Sequence, residues 1–117
     1  MNPETKLQNL ILMALAEAGC TVWRVETSGA WLGKVIHRVG DQVTLTGARM
    51  LQTGLCTGGS DIIGVAPCGR FLAVEVKTKA GRATKEQTRF IDAVNNAGGI
   101  AGIARSVEDA LELVGRG

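Results

Sequence analysis

The sequence predicts an α/β fold in which a small mixed β-sheet is flanked by α-helices. Short apolar segments of strand type alternate along the chain with longer segments whose apolar residues recur at helical spacing. The sixteen glycines cluster mainly at 29–33, 54–69 and 98–102, where they mark turns between short elements. The predicted order is therefore a helix, a strand, a hairpin, two strands, a helix, a strand and a helix.

The composition favours a globular chain with a single domain over residues 1–117. Hydrophobic residues make up 45% of the chain and charged residues 21%, which argues against overall disorder. The net charge is only +2, so a polyanionic partner must be bound where cations cluster. Three scattered cysteines and one histidine, with no CxxC motif, argue against a disulfide framework or a zinc site. With no apolar stretch of about 18 residues and no signal-peptide layout, we expect a cytoplasmic chain without a membrane segment.

The first predicted helix begins at the capping residue Asn2, which is followed by a proline and by Glu4 in the first turn. Apolar residues then keep helical spacing along one face until Gly19 ends the helix. At about 100° per residue, Glu4 and Gln8 lie together on one flank of that apolar face. An acid with a polar companion one turn away is thus available beside the sheet.

Five predicted strands follow this helix. A strand is predicted over Thr21–Thr27, with Trp23 expected to offer buried surface. Lys34–Thr46 alternates around a Gly-Asp turn and predicts a hairpin with one polar face. Asp61–Val65 and Arg70–Lys77 are separated by a Pro-Cys-Gly turn, so we expect them to pair as a second hairpin.

The last third of the chain contains the remaining helices. Thr84, with Gln87 three residues later, forms a capping-box pattern that opens a helix ending at Gly98. A short buried strand is predicted over Ile100–Ala104. Ser106 then caps a final helix.

The most informative stretch is FLAVEVKTK, in which an apolar run ends at Glu75 and Lys77. If the second hairpin forms, Asp61 and Glu75 lie near one end of adjacent strands, and Glu75 and Lys77 share a face. Two nearby carboxylates repel each other unless a cation lies between them, and such oxygen ligands suit Mg²⁺. A bound Mg²⁺ polarises a phosphodiester and lowers the pKa of bound water.

A Glu-x-Lys pair on a strand is more often a surface ion pair worth less than about 1 kcal/mol. The pair gains weight here from its position, because it ends an apolar run and follows an aspartate at hairpin distance. A glycine pair precedes that aspartate, and a basic loop with a capped helix follows Lys77. This context favours a metal and phosphate site over a surface pair.

Asp61 and Glu75-Val76-Lys77 together resemble the PD-(D/E)xK nuclease core, and the finer pattern resembles its VRR-NUC branch. The resemblance is carried by the segments ETKLQ, GGSDIIGV, GRFLAVEVKTKAGRATKEQ and IAGIARSVEDAL, and it is weakest over residues 30–57. It implies a restriction-endonuclease-like fold and a Mg²⁺- or Mn²⁺-dependent DNA endonuclease similar to the Holliday-junction resolvases that work as homodimers. Small stand-alone members are typical of phages and prophages in bacterial hosts. Ser60 stands where the family has proline, which shapes a turn and supplies no chemistry.

The resemblance also implies roles for individual residues. The residues matched to the family's catalytic set are Asp61, Glu75, Lys77 and Gln87. The groups matched to its metal ligands are Asp61, Glu75, the carbonyl of Val76 and Glu4 on the first helix. Gln8 is expected to assist near the metal.

Clustered cations supply the expected contacts to DNA. The cations that follow the site are Lys79, Arg82, Lys85 and Arg89. They form either a solvated face or contacts to phosphates, and such contacts would be salt-sensitive. Lys34, Arg38 and Arg49 lie on or just beyond the first hairpin, which either grips a second duplex arm or serves dimer contacts. No base-reading module is evident, so affinity is expected from phosphate contacts and DNA shape. A homodimer would supply a second active site with matching two-fold symmetry.

Two other functions stay open at the level of the sequence. The chain could be a DNA-binding module that keeps a nuclease fold without catalysis. It could also be a nuclease subunit that needs a helicase or a targeting protein.

Overall fold

The computed structural model describes residues 1–25, 29–52 and 58–115. Its elements are α1 (Pro3–Glu17), β1 (Thr21–Arg24), β2 (Gly29–Val39), β3 (Gln42–Gln52), β4 (Ile62–Val65), β5 (Phe71–Val76), α2 (Lys85–Asn96), β6 (Ile100–Ala104) and α3 (Val107–Gly115). Within the described ranges, no helix is long and apolar enough to cross a membrane.

The main sheet has the strand order β1-β4-β5-β6. Strands β1, β4 and β5 are antiparallel neighbours, whereas β6 runs parallel to β5. Strands β4 and β5 keep one register throughout, with Ile62 opposite Val74 and Val65 opposite Phe71. The small mixed sheet flanked by helices and the second predicted hairpin are both confirmed.

Helices cover both faces of this sheet. On one face, Ile11 and Leu15 of α1 pack with Leu72 and Val74 of β5, and α3 joins the same cluster. On the other face, Phe90 and neighbouring apolar residues of α2 pack on the sheet. Strand β5 is consequently buried on both faces, which explains why it is the most apolar strand of the sequence. Each fully buried Leu or Val contributes about 1.5–3 kcal/mol to this core.

Side-chain caps fix where the helices begin. The side chain of Asn2 accepts a hydrogen bond from the amide three residues on, at 2.7 Å. Thr84 and Gln87 form a complete capping box at the start of α2. The Ser106 hydroxyl accepts from the Asp109 amide at 3.1 Å and caps α3. All three predicted helix starts are confirmed.

Strands β2 and β3 form a separate two-stranded sheet, called the ribbon below. Val35 lies opposite Leu45, and Val43 shares that face because it stands two residues before Leu45. Lys34 lies opposite Thr46 on the other face. Among the described residues, no extensive contact joins the ribbon to the main sheet or to a helix. The molecule is elongated as a result, 53 Å along its longest axis.

Three expectations about the strands need correction. The predicted hairpin over Lys34–Thr46 is longer, because the ribbon runs from Gly29 to Gln52. Register shifts after Leu32 and after Val35 interrupt the alternation on which the prediction depended. Strand β1 ends at Arg24, and residues 26 and 27 of its predicted range lie outside the described residues. Trp23 is 51% exposed rather than buried, because β1 is an edge strand.

Candidate active site

The Asp61 carboxylate lies where β4 and β5 meet at one edge of the sheet. Continuing the β4–β5 register by one residue places Asp61 opposite Glu75. The Val76 amide donates to Asp61 Oδ2 at 3.0 Å, and the Val25 amide donates to the Asp61 carbonyl at 2.8 Å. Backbone groups on both sides therefore hold Asp61 in place.

Glu75 is a buried carboxyl at the end of β5, with 3% of its surface exposed. Burial raises the pKa of Glu75 to about 8, assisted by a hydrogen bond to the Asp61 carboxyl and by the Asp61 charge. The nearby Lys77 ammonium opposes this rise. The second oxygen of Glu75, Oε2, is buried without a hydrogen-bond partner among the described residues. One oxygen of the acid pair is therefore without a partner in the described part of the chain, although a cation lies nearby.

Lys77 lies beside this pair, on the face of β5 that carries Glu75. Its Nζ is 3.9 Å from Glu75 Oε1, and its side chain is 16% exposed. Its backbone amide donates to the Ala104 carbonyl at 3.1 Å, which ties the end of β5 to β6. The structure thus brings Asp61, Glu75 and Lys77 together, as the sequence predicts.

The first-helix residues are less closely engaged. Glu4 and Gln8 are both half-buried on α1. The charge of Glu4 adds a minor contribution to the raised pKa of Glu75, which places it within electrostatic range of the site. Across residues 1–25, 29–52 and 58–115, however, no group of three or more His, Cys, Asp or Glu side chains is arranged to hold a metal ion. Roles for Glu4 as a direct ligand and for Gln8 stay predictions.

The donor set fits a hard divalent cation. Mg²⁺ keeps several waters and is commonly bound through only one or two carboxylates, so a pair of acids is sufficient. Glu75 Oε2, which has no hydrogen-bond partner among the described residues, could bind such an ion, and the ion would stabilise the ionised form of this buried carboxyl. The Val76 carbonyl stays a predicted further ligand, since the structure gives a contact only for its amide.

Gln87 has a structural function in the capping box. Its side-chain Oε1 accepts from the Thr84 amide at 2.9 Å, and its own amide donates to the Thr84 hydroxyl at 3.1 Å. The side-chain NH₂ of Gln87 is the part left to act at the site. Its catalytic role stays a prediction.

The predicted DNA-binding cations occupy two separate places. Exposed cations near the site are Lys79 and Arg82 in the loop after β5, and Lys85 and Arg89 on α2. Lys34 and Arg38 are exposed on the ribbon, and Lys34 lies opposite Thr46 whereas Arg38 lies opposite Val43. These two therefore project from opposite faces of the ribbon.

Two further residues lie near the site: Gly58, which belongs to the glycine pair noted in the sequence, and Arg105, to which the sequence reasoning gave no role. Gly58 has a φ of +84°, and a Cβ there would lie 2.4 Å from the backbone of Glu86. This close approach explains why a glycine stands at position 58. Arg105 follows β6 and contacts the loop after β5. Its part depends on the parallel pairing of β5 and β6, which no local pattern reveals.

Fold and site together define a small α/β protein with a partly buried acid pair and a lysine at the edge of a mixed sheet. The family model for the VRR-NUC domain matches residues 2–108, which include the whole main sheet, the ribbon, α1 and α2. The chain therefore belongs to the VRR-NUC family, and this membership implies nuclease activity on DNA. A comparison with curated proteins finds no match.

Proposed function

We propose that the chain is a divalent-metal-dependent DNA endonuclease with a PD-(D/E)xK core. The observation that carries this proposal is the buried Glu75 carboxyl beside the half-buried Asp61. Glu75 Oε2 has no hydrogen-bond partner among the described residues, and the Lys77 ammonium is 3.9 Å from Glu75 Oε1. A buried carboxylate beside a second acid is costly for folding unless a cation compensates it. Membership of the VRR-NUC family indicates that the substrate is DNA.

The residues divide the chemistry among them. Asp61 and Glu75 would hold Mg²⁺ or Mn²⁺, with the Val76 carbonyl and Glu4 as further candidate ligands. When bound, the ion supplies Lewis-acid activation of water and of the scissile phosphate. Lys77 can donate to a phosphate oxygen beside the acid pair and offset the charge that develops on it.

DNA would be bound through its backbone and shape. The exposed cations that follow the site continue from β5 into α2, so they would lie along a duplex whose phosphate enters the site. Contacts of this kind carry no base information, and they favour selection by DNA structure over selection by sequence. We therefore propose a structure-selective enzyme that resembles a junction resolvase.

The ribbon supports a homodimer. The residues that line its apolar groove, of about 680 Å³, are Leu32, Gly33, Val35, Val43, Leu45 and Ala48. Val35 is 48% exposed and Val43 43%, and an isolated two-stranded sheet is marginally stable in water. We propose that this face packs against the same face of a second copy, which would place two active sites on one branched DNA. The opposite face, with Lys34, would remain open to DNA.

A cleavage assay tests the proposed function. The purified chain is incubated with linear, nicked, flapped and four-way DNA in Mg²⁺, Mn²⁺ or EDTA. We expect metal-dependent cutting that is strongest on a branched substrate and is lost in Asp61→Ala. Asp92→Asn, an exposed acid on α2, is the matched control and should cut normally.

The same assay distinguishes the alternatives. Metal-independent binding to junctions without any cutting would favour a non-catalytic DNA-binding module. Cutting that appears only after addition of a cell extract would favour a subunit that needs a partner. Activity of the isolated chain argues against both.

A further inference from the structure

The loop over residues 77–84, called the site loop below, joins the end of β5 to α2 and is held by one arginine. Arg105 Nη1 donates to the carbonyl of Thr78 and to the carbonyl of Gly81, both at 2.7 Å. The loop also closes on itself, because the Gly81 amide donates to the Thr78 carbonyl at 3.0 Å. One guanidinium nitrogen thus fastens both ends of a single turn.

The position of Arg105 follows from the parallel pairing of β5 and β6. Val76 lies opposite Ala104, so both strands end at the same edge of the sheet. The residues that follow, Lys77 and Arg105, are consequently neighbours. The Arg105 amide donates to the Asp109 carboxylate at 2.9 Å, which links the arginine to the first turn of α3. The backbone of Arg105 is therefore held by a hydrogen bond to α3.

The clamped turn lies against the Lys77 side chain. A Cβ on Gly81 would be 3.3 Å from Lys77 Cδ and 3.5 Å from Lys77 Cβ, so the turn packs along the lysine stem. A free lysine side chain has about 2 kcal/mol of rotamer entropy, which is lost when its ammonium is fixed. A turn held against the stem removes part of that freedom before substrate arrives.

We propose that Arg105 is a positioning residue for Lys77: it holds the site loop against the lysine stem and so directs the ammonium toward Glu75. This inference rests on the proposed nuclease function, in which Lys77 acts on the phosphate. Arg105 itself touches neither the acid pair nor, in this account, the reacting phosphate. Its effect on the reaction passes through the loop.

A direct contact between the exposed Arg105 and DNA is the competing explanation, and kinetics separates the two. A positioning residue affects the orientation of Lys77 in the bound complex, so its loss lowers kcat. A phosphate contact affects binding, so its loss raises KM and reduces the dependence of binding on salt. Displacements near 1 Å in a catalytic site cost about 100-fold in rate, which bounds the expected effect.

The test compares Arg105→Ala, Arg105→Lys and the control Arg70→Ala, an exposed arginine at the other end of β5. Hydrogen–deuterium exchange of the site loop is measured first, without metal or DNA. We expect faster exchange of the Gly81 amide in Arg105→Ala, an intermediate rate in Arg105→Lys and no change in Arg70→Ala. With metal and branched DNA, we expect kcat to fall about 10- to 100-fold in Arg105→Ala, with KM and salt dependence unchanged.

Unchanged exchange of the Gly81 amide in Arg105→Ala would contradict the proposal that Arg105 holds the site loop, irrespective of the cleavage kinetics. A raised KM with an unaltered kcat would contradict the positioning role of Arg105 and would favour a direct contact between Arg105 and DNA. Thermal unfolding of each variant confirms that the core is intact, and Arg105→Lys keeps the test decisive if Arg105→Ala unfolds. If the wild-type chain cuts no DNA, the proposed function fails, whereas the exchange experiment still decides the state of the loop.

Discussion

The main sheet and the ribbon differ in how their side chains are held. In the main sheet, the proposed metal ligand Glu75 is 3% exposed and lies on a strand that is buried on both faces. On the ribbon, Val35 is 48% exposed, and no extensive contact with the rest of the described chain supports it. The residues proposed for catalysis are thus held by contacts within the core, whereas the ribbon carries the surfaces proposed for assembly and DNA binding. Mutations in the two regions should have separable effects.

The largest effect is expected from loss of the site lysine. Lys77→Ala removes the only ammonium within 4 Å of the acid pair in the described part of the chain, so cleavage should fall about 10²- to 10⁴-fold. The oligomeric state, measured by light scattering after size-exclusion chromatography, should not change. If Lys77→Ala lost both activity and oligomerisation, the effects of mutations in the main sheet and in the ribbon would not be separable.

Substitution on the apolar face of the ribbon should have the reverse effect. Val35→Lys places a charge in the proposed dimer interface, and burial of an unpaired charge costs several kcal/mol. We expect a dimer dissociation constant raised at least about 100-fold, while the thermal midpoint of the core is unchanged. Thr44→Lys, two residues from Thr46 on the opposite face, is the matched control. Equal oligomerisation of both variants and the wild type would refute the proposed interface.

The buried Glu75 carboxyl predicts a specific dependence of stability on pH. The pKa of Glu75 is raised from 4.5 to about 8 in the folded chain, so the folded state binds this proton more tightly than the unfolded state. The contribution of Glu75 to the free energy of unfolding of the metal-free protein should therefore be largest below about pH 4.5. Up to a few kcal/mol of this contribution should be lost as pH rises to about 8. Urea unfolding from pH 5 to 9 measures this loss.

Glu75→Gln provides the comparison for that experiment, because the amide cannot ionise. This variant should show a flatter stability curve between pH 5 and pH 8, whereas Asp92→Asn should follow the wild type. If the free energy of unfolding changes equally with pH in Glu75→Gln and the wild type, ionisation of Glu75 does not cause the loss of stability.

A smaller effect is expected at the turn that packs on the lysine stem. Gly81→Ala adds a methyl group 3.3 Å from Lys77 Cδ, so the lysine stem must move by a few tenths of an ångström. We expect kcat to fall up to about tenfold while DNA binding, measured by fluorescence anisotropy, is retained. Gly115→Ala, at the end of α3, is the matched control, because an added Cβ there would meet no described atom within 4 Å. Weakened DNA binding in Gly81→Ala would assign the turn to substrate contact instead.

Much of the core could be predicted because its signals are local. Alternation and the Pro-Cys-Gly turn set the β4–β5 register, and this register brings Asp61 opposite Glu75. Side-chain caps at Asn2 and Thr84 fixed the helix starts for the same reason. The match of the VRR-NUC model to residues 2–108 confirms the family that these motifs indicated.

The remaining features depend on long-range contacts. Register shifts in the ribbon hid its full length, since they break the two-residue period. The exposure of Trp23 follows from its place on an edge strand, which the order of strands decides and local sequence does not. Arg105 reaches the site loop only because β6 pairs parallel to β5, 24 residues along the chain from Gly81.

Titration of Mn²⁺ into the metal-free protein at pH 8.5, followed by calorimetry, tests the central claim most directly. At this pH the Glu75 carboxyl is largely ionised, so proton competition is small. We expect saturable binding by the wild type and by Asp92→Asn, and affinity at least about tenfold weaker in Asp61→Ala and Glu75→Ala. Equal Mn²⁺ affinity in all four proteins would contradict the assignment of this acid pair as the metal site.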